Sequence, residues 1–166
     1  LEGTDQEIYE WILSSVVDVG FAVMPLKRLK GLYAQLITTD EMLLIVPQAH
    51  PLASCTTVSL EKIATEPFLM SKAGCEPLIR QIFRQARVTP RVTLEVREMA
   101  TLLSLVKEGL GVTLMPQLAL PPVPVGVAFI GLNPSAQRHV GLLLNSSQPN
   151  SQAMKAFVEE VRVIPS

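Results

Sequence analysis

The sequence predicts an α/β protein, and three observations carry that expectation. Short apolar runs alternate with stretches whose apolar residues recur at helical spacing, the order that builds sheets covered by helices. Several of the runs are apolar throughout, as in strands buried on both faces. Of the 166 residues, 48% are hydrophobic and 17% charged, enough apolar material for a sizeable core and too little charge for disorder.

Thr4, Asp5, Gln6 and Glu7 open the first helix as a capping box, a hydroxyl followed three residues later by a carboxylate. Ile8, Ile12 and Val16 continue it at helical spacing, with Trp11 alongside. Residues 17–23, rich in valine and closed by Met24 and Pro25, read as a buried strand. Residues 32–39 and 42–46 read as two extended apolar segments, stopped by Pro47 and Pro51. Ser59 begins a short helix through Leu60 and Ile63, and residues 67–70 form a short strand. A polar turn of Ser71, Lys72, Ala73 and Gly74 leads to Pro77, a residue favoured in a helix's first turn. Leu78, Ile79, Ile82, Phe83 and Ala86 give that helix its apolar face. Residues 92–96 alternate Val92, Leu94 and Val96 with Thr93 and Glu95, the pattern of a half-buried strand. Met99, Leu102, Leu103 and Val106 are again helical, and Gly109 stands where a C′ glycine ends a helix. Residues 111–116 form a strand stopped by Pro116. Residues 118–126, with Pro121, Pro122 and Pro124, must be irregular or extended. Residues 127–130 and 140–144 read as strands, and Asn150 or Ser151 caps a last helix bearing Met154, Phe157, Val158 and Val161. In such sheets ligands sit beyond the carboxyl ends of strands, near helix N-termini. The loop at Gly3 and Thr4 and the loop at residues 71–76 meet that description.

Charge and cysteine usage narrow the function. With 14 Lys+Arg against 15 Asp+Glu the net charge is −1, and no basic stripe of the kind a free-standing nucleic-acid binder carries is present. DNA contact is therefore expected only through sequence outside this chain. Cys55 and Cys75 have no C-x-x-C neighbour and no metal-ligand spacing, the ordinary cytosolic pattern. No metal or cofactor is implied. No signal peptide is visible, and the longest apolar runs are far too short to span a membrane. His50 and His139 do not join a carboxylate and a nucleophile in a catalytic order, so no catalytic residues are assigned. Gly109 and Gly111 close a helix and do not open one, unlike a phosphate loop.

Four segments, in order, resemble the effector-binding domain of LysR-type transcription regulators. They are Leu1, Glu2, Gly3 and Thr4 followed by a helix and residues 17–21; the apolar strand at residues 43–47 running into the turn His50, Pro51, Leu52, Ala53; residues 106–116; and residues 139–144 with the terminal helix. The resemblance covers essentially the whole chain. It implies the architecture of type 2 periplasmic binding proteins, two Rossmann-like subdomains joined by two crossover strands. On that template residues 1–46 and 141–166 form regulatory subdomain I, and residues 47–140 form regulatory subdomain II. The template has one more strand and helix before Leu1, and a helix-turn-helix domain with a linker helix upstream of that.

The same resemblance implies that a small metabolite binds in the cleft between the subdomains and that the change reaches the DNA-binding helices. Thr4 matches a position whose hydroxyl faces the cleft, a role it shares with capping its helix. Val23 and Met24 end at the same cleft, with Val23 as an apolar wall where some relatives carry a polar residue. Ser71, Lys72, Gly74 and Cys75 lie on the loop opening subdomain II's first long helix, where N–H groups and the helix dipole suit an anion. Met99 opens a cleft-facing helix, with a core role as its plainer reading. The expected effector class is a small carboxylate or an aromatic acid. Cys75 at a helix N-terminus could sense oxidants with Cys55 as partner, although a free cysteine more commonly just packs. A homodimer is implied, a tetramer in the full-length protein, with residues 5–16 and the helix around residues 102–108 as candidate faces. A cytoplasmic location follows. Two rivals share the fold: a periplasmic solute-binding protein of a transporter, and an enzyme such as a dehydratase-like domain, which needs a charged or hydroxyl-rich cleft that these residues do not assemble.

Overall fold

The computed structural model describes residues 1, 3–24, 30–122, 125–146 and 151–162. The chain divides into two compact units, Leu1–Asp40 with Arg138–Ser166, and Glu41–Gln137. It passes from one unit to the other twice, at Asp40 to Glu41 and at Gln137 to Arg138.

In the first unit, helix α1 (Asp5–Leu13) precedes strand β1 (Val19–Met24). The chain then enters β2 (Leu32–Pro47), and it ends with β8 (Gln137–Asn145) and α5 (Gln152–Arg162). The strand order is β1, β8, β2. β1 runs antiparallel to β8, from Val19 opposite Leu144 to Met24 opposite His139. Ile12, Ala22, Leu32 and Leu143 form the core, with Ile8, Tyr9, Val17, Met24 and Ala34 against it. α1 sits close on β1 because Gly20 has no side chain: a Cβ there would come 2.5 Å from Cγ2 of Ile8. The buried Asn145 side chain donates to the Ile12 carbonyl (3.3 Å), a late carbonyl of α1. Ser151 caps α5 by accepting the Met154 N–H (3.1 Å); the alternative cap, Asn150, lies outside the described residues, as do Pro25 and Pro124.

In the second unit, the far part of β2 is antiparallel both to β6 (Thr113–Pro116) and to β7 (Val127–Leu132). β3 (Thr57–Val58) adds to β7 in parallel. β4 (Pro67–Ser71) pairs in parallel with β5 (Arg91–Val96), and a parallel bridge from Phe68 to Val112 ties β4 to the β6 segment. Both faces of this sheet are covered. Met42, Leu44, Val46, Phe68 and Met70 face a core shared with α3 (Glu76–Gln85) through Ile79, Ile82 and Phe83. Ile45, Leu69 and Met115 face a second core with α4 (Met99–Lys107) through Leu102 and Val106. Successive strand residues thus serve opposite cores, which is why these runs read as apolar throughout. The Phe68 and Phe83 rings meet edge to face at 5.2 Å. Short α2 (Leu60–Ala64) adds Leu60 and Ile63 to the first core.

Gly109 and Gly111 act differently. Gly109 ends α4 with φ +79° in open space, the left-handed conformation that favours glycine. At Gly111 a Cβ would lie 2.5 Å from the Pro67 carbonyl oxygen, the acceptor of the Val112 N–H (2.8 Å). Glycine there lets the strand approach β4.

Several local expectations are corrected. α1 ends at Leu13, and Val16 is exposed beyond it, because Ser15 takes a positive φ of 60° and turns the chain. Ala22 alone is buried in β1, and Phe21 is exposed, since β1 is an edge strand. The two apolar segments around Asp40 are one 16-residue strand, β2. Ser59 occupies the N-cap of α2 without a side-chain cap bond. Ser71 belongs to β4 and is buried, so the polar turn starts one residue later. Residues 91–95 of β5 are all exposed despite their alternating pattern. Among the described residues β5 pairs with β4 alone, and only Val96 at its end reaches the second core.

Candidate functional site

At the start of α1 the capping box is formed in full. The Glu7 N–H donates to Thr4 Oγ1 (3.3 Å), while the Thr4 N–H (2.7 Å) and hydroxyl (2.9 Å) donate to Glu7 Oε2. The hydrogen bonds from the Thr4 N–H and then the Thr4 hydroxyl hold the Glu7 carboxyl below the usual glutamate range. Thr4 is exposed, so its hydroxyl serves the helix from an accessible position. Asp5 accepts the Val23 N–H (3.3 Å), joining the first turn of α1 to β1. Burial raises the Asp5 pKa, opposed by the Val23 bond and by the Arg138 charge. Met24 packs into this unit's core and against Gly141, where a Cβ would meet its Cγ at 2.7 Å. Val23 is half-buried. Thr4 and Val23 are therefore linked through Asp5, whereas Met24 is largely a core residue.

The second strand end lies at residues 71–76. Ser71 Oγ, at the end of β4, accepts the Ala73 N–H (3.4 Å). The Lys72 N–H donates to the Val96 carbonyl (2.8 Å), keeping the loop against β5. Its ammonium pairs with Glu76 (2.5 Å) and Glu95 (3.6 Å), and Arg80 pairs with the same two carboxylates at 2.8 and 3.6 Å. The hydrogen bond from Lys72, then that from Arg80, lowers the Glu76 pKa, and Glu76 in turn raises that of Lys72. Gly74 is exposed with φ +86°, the conformation this turn needs. Cys75 stands at the N-cap of α3 without a side-chain cap bond; it is buried and packs with the first core. Cys55 is half-buried against the same core, and neither cysteine is in a disulfide.

Glu98 caps α4, accepting the Ala100 (2.8 Å) and Thr101 (2.5 Å) N–H groups. The hydrogen bonds from Thr101 and Ala100 lower its pKa. Met99, the first residue of α4, packs against the core beneath that helix. His50 is a turn residue: its Nδ1 accepts the Leu52 N–H (3.2 Å). His139 meets Thr39 Oγ1 at 3.2 Å.

Sequence reasoning missed two features. Glu98 precedes Ala100 and Thr101 in the manner of an acidic N-cap, a signal present but unused. Asp40 and Arg138, a charge in a long strand and a charge opening another, form a buried ion pair. A lone aspartate amid strand residues calls for such a partner. A hollow lined by Leu103, Ser104, Lys107, Pro121, Val125 and Val127 contains none of the predicted site residues. Among the described residues no group of three or more His, Cys, Asp or Glu side chains could hold a metal, and no helix is long and apolar enough to cross a membrane.

The family profile described as the LysR substrate binding domain matches residues 1–163. The HTH-type transcriptional regulator YvbU of Bacillus subtilis (strain 168) is 30% identical over 160 residues, 95% of this chain and 54% of that protein. The chain thus spans about half the length of the curated relatives it matches. Among solved structures, the effector binding domain of QuiR in complex with shikimate superimposes with a TM-score of 0.85 at 22% identity, covering 96% of this chain and 77% of that one. The Synechocystis PCC6803 CcmR regulatory domain in complex with 2-PG gives 0.85 at 16% identity, covering 97% and 79%. These likenesses show the fold, that of type 2 periplasmic binding proteins.

Proposed function

Because the chain belongs to the LysR substrate-binding domain family, we propose that it is the effector-sensing part of a DNA-binding transcription regulator, not an enzyme, and that it works in the cytoplasm. A small metabolite binds between the two units and shifts their orientation, and DNA is contacted by a helix-turn-helix domain elsewhere in the parent protein. The observation that carries this reading is the match to the LysR substrate binding domain over residues 1–163; an effector acts on such a domain by differential affinity for two states. Thr4, Val23 and Met24 are the contacts on one side. Ser71, Lys72, Gly74, Cys75 and Met99 are those on the other. A small carboxylate or aromatic acid is the class proposed, a choice supported by the shikimate of the QuiR complex. The periplasmic-transport reading is not favoured, since the relatives are HTH-type regulators.

The test is a thermal-shift titration of the full-length regulator with shikimate and a panel of small carboxylates and aromatic acids. A ligand at a hundred times its Kd adds about 2.7 kcal/mol of stability, so a saturable rise in Tm is expected. Absence of stabilisation across the panel would count against the reading. The protein is further proposed to act as a homo-oligomer. β5 presents an exposed edge with Val92 and Leu94 at 36% and 43% exposure, the kind of strand that proteins rarely leave uncovered. A strict monomer in sedimentation of the full-length protein at high concentration would contradict this.

A further inference from the structure

Lys72, Glu76, Arg80 and Glu95 form a closed ring of alternating charge within the second unit. Each carboxylate uses its two oxygens separately. Glu76 Oε2 faces the Lys72 ammonium at 2.5 Å, and its Oε1 accepts from Arg80 Nε at 2.8 Å. Glu95 Oε2 faces Lys72 and its Oε1 faces Arg80 Nη2, both at 3.6 Å. Neither cation therefore holds a carboxylate to itself.

The members of the ring differ in how firmly they are placed. Glu76 stands in the first turn of α3, where the helix dipole favours a carboxylate. Arg80 lies four residues on, the spacing that supports such a pair along a helix. Lys72 is in the turn after β4, with its backbone pinned by the bond to the Val96 carbonyl. Its flexible four-carbon stem can still carry the ammonium elsewhere. The side chains of Lys72 and Glu95 are 30% and 49% exposed, and ion pairs this open to water contribute little. Without Arg80, an ammonium that turned to an incoming anion would leave two carboxylates facing each other, and their repulsion would pull it back. With Arg80 in the ring, each carboxylate keeps a counter-charge on its other oxygen. The planar guanidinium suits two acceptors at once.

We propose that Arg80 is a positioning residue: by sharing both carboxylates, it keeps the Lys72 ammonium available to an anion. The inference rests for its biological meaning on the reading that Lys72 contacts an acidic effector, but its test uses no effector. The two ideas therefore fail separately.

The test is competitive labelling of lysines in the full-length regulator with a limiting amount of acetic anhydride, read by mass spectrometry. Lys62 and Lys107, in the same unit, serve as internal references. An amine reacts only as its free base, so an ammonium held more firmly labels more slowly. In Arg80→Gln both carboxylates turn on Lys72, and its labelling is expected to slow about threefold relative to the references, the effect of roughly half a pKa unit. Glu76→Gln removes one carboxylate and is expected to speed Lys72 labelling by a similar factor. Arg80→Lys restores the charge and is expected to bring the rate back toward that of the parent. Unchanged or faster labelling in Arg80→Gln would overturn the proposal, because a residue that merely anchors Glu76 and Glu95 would loosen Lys72 when removed. Slowing that Arg80→Lys does not reverse would also overturn it, since the shared charge would not be the cause. Labelling of Lys72 that Glu76→Gln leaves unchanged would show that the ring does not hold it, with the same consequence.

Discussion

Thr4 holds two roles that one substitution can separate. Thr4→Val keeps the size and branching of the side chain and removes the hydroxyl. The lost interactions are the Glu7 N–H bond to Oγ1, long at 3.3 Å, and the hydroxyl's own bond to Glu7 at 2.9 Å. The Thr4 N–H keeps its carboxylate acceptor at 2.7 Å, and the exposed Glu7 N–H can turn to water. Loss of a cap costs about 0.5–2 kcal/mol in general, and this geometry points to the lower half, about 0.5–1 kcal/mol. In a domain of this size that corresponds to a Tm lower by roughly 1–4 °C. Thr4→Ser keeps both bonds and should stay within about 0.3 kcal/mol of the parent. Urea denaturation followed by circular dichroism measures both. A Thr4→Val protein as stable as the parent would refute the capping account. If an effector stabilises the parent, the same ligand titrated against Thr4→Val separates the second role. A ligand-induced Tm rise reduced in Thr4→Val but kept in Thr4→Ser means the hydroxyl also touches the ligand.

Two further outcomes follow from the same structure. Gly111→Ala drives a Cβ into a backbone carbonyl that cannot rotate away and should cost about 2–3 kcal/mol, whereas Gly109→Ala faces open space and should cost about 1–2 kcal/mol for its left-handed φ alone; the reverse order in chemical denaturation would contradict the close-approach account. Asp5 carries a carboxyl that folding makes harder to ionise than an ordinary aspartate near 3.8. Folding thus works against its charge at neutral pH, and this penalty fades as pH falls through its raised pKa. Asp5→Asn should therefore be more stable than the parent at pH 7, with the difference disappearing below the ordinary aspartate range; an advantage that persists at pH 3 would refute the assignment.

Much of the fold was legible because its devices are local. The capping box at Thr4, the terminating Gly109 and the cap at Ser151 each act within one turn of a helix. The apolar runs of β2, β4 and β6 were legible because both faces of that sheet are covered. What the sequence concealed depends on neighbours distant along the chain. Val92 and Leu94 alternate like a half-buried strand, yet among the described residues no layer buries either of them. Asp40 looked like a break between two segments because a charge inside a strand reads as an interruption. Its partner, 98 residues away, makes it part of the longest strand. Ser71 read as a turn residue by its chemistry, and its burial comes from its position at the end of an interior strand.

The three helix N-termini differ in the room they leave for an anion. A helix N-terminus attracts an anion only while its first N–H groups lack a closer carboxylate. The Glu7 carboxylate stands at the N-terminus of α1, bonded to the Thr4 N–H and hydroxyl, and that of Glu98 takes two N–H groups at α4. An incoming carboxylate at either end would meet a charge of its own sign. α3 differs: Cys75 makes no side-chain cap bond there, and the carboxylate in its first turn, Glu76, is held by Lys72 and Arg80. Lys72 and Arg80 face Glu76 and Glu95 together, so the four charges balance at that end. If the effector is an acid, its carboxylate is proposed to meet the least opposition at the end of β4 and the turn after it, with Ser71, Lys72, Gly74 and Cys75.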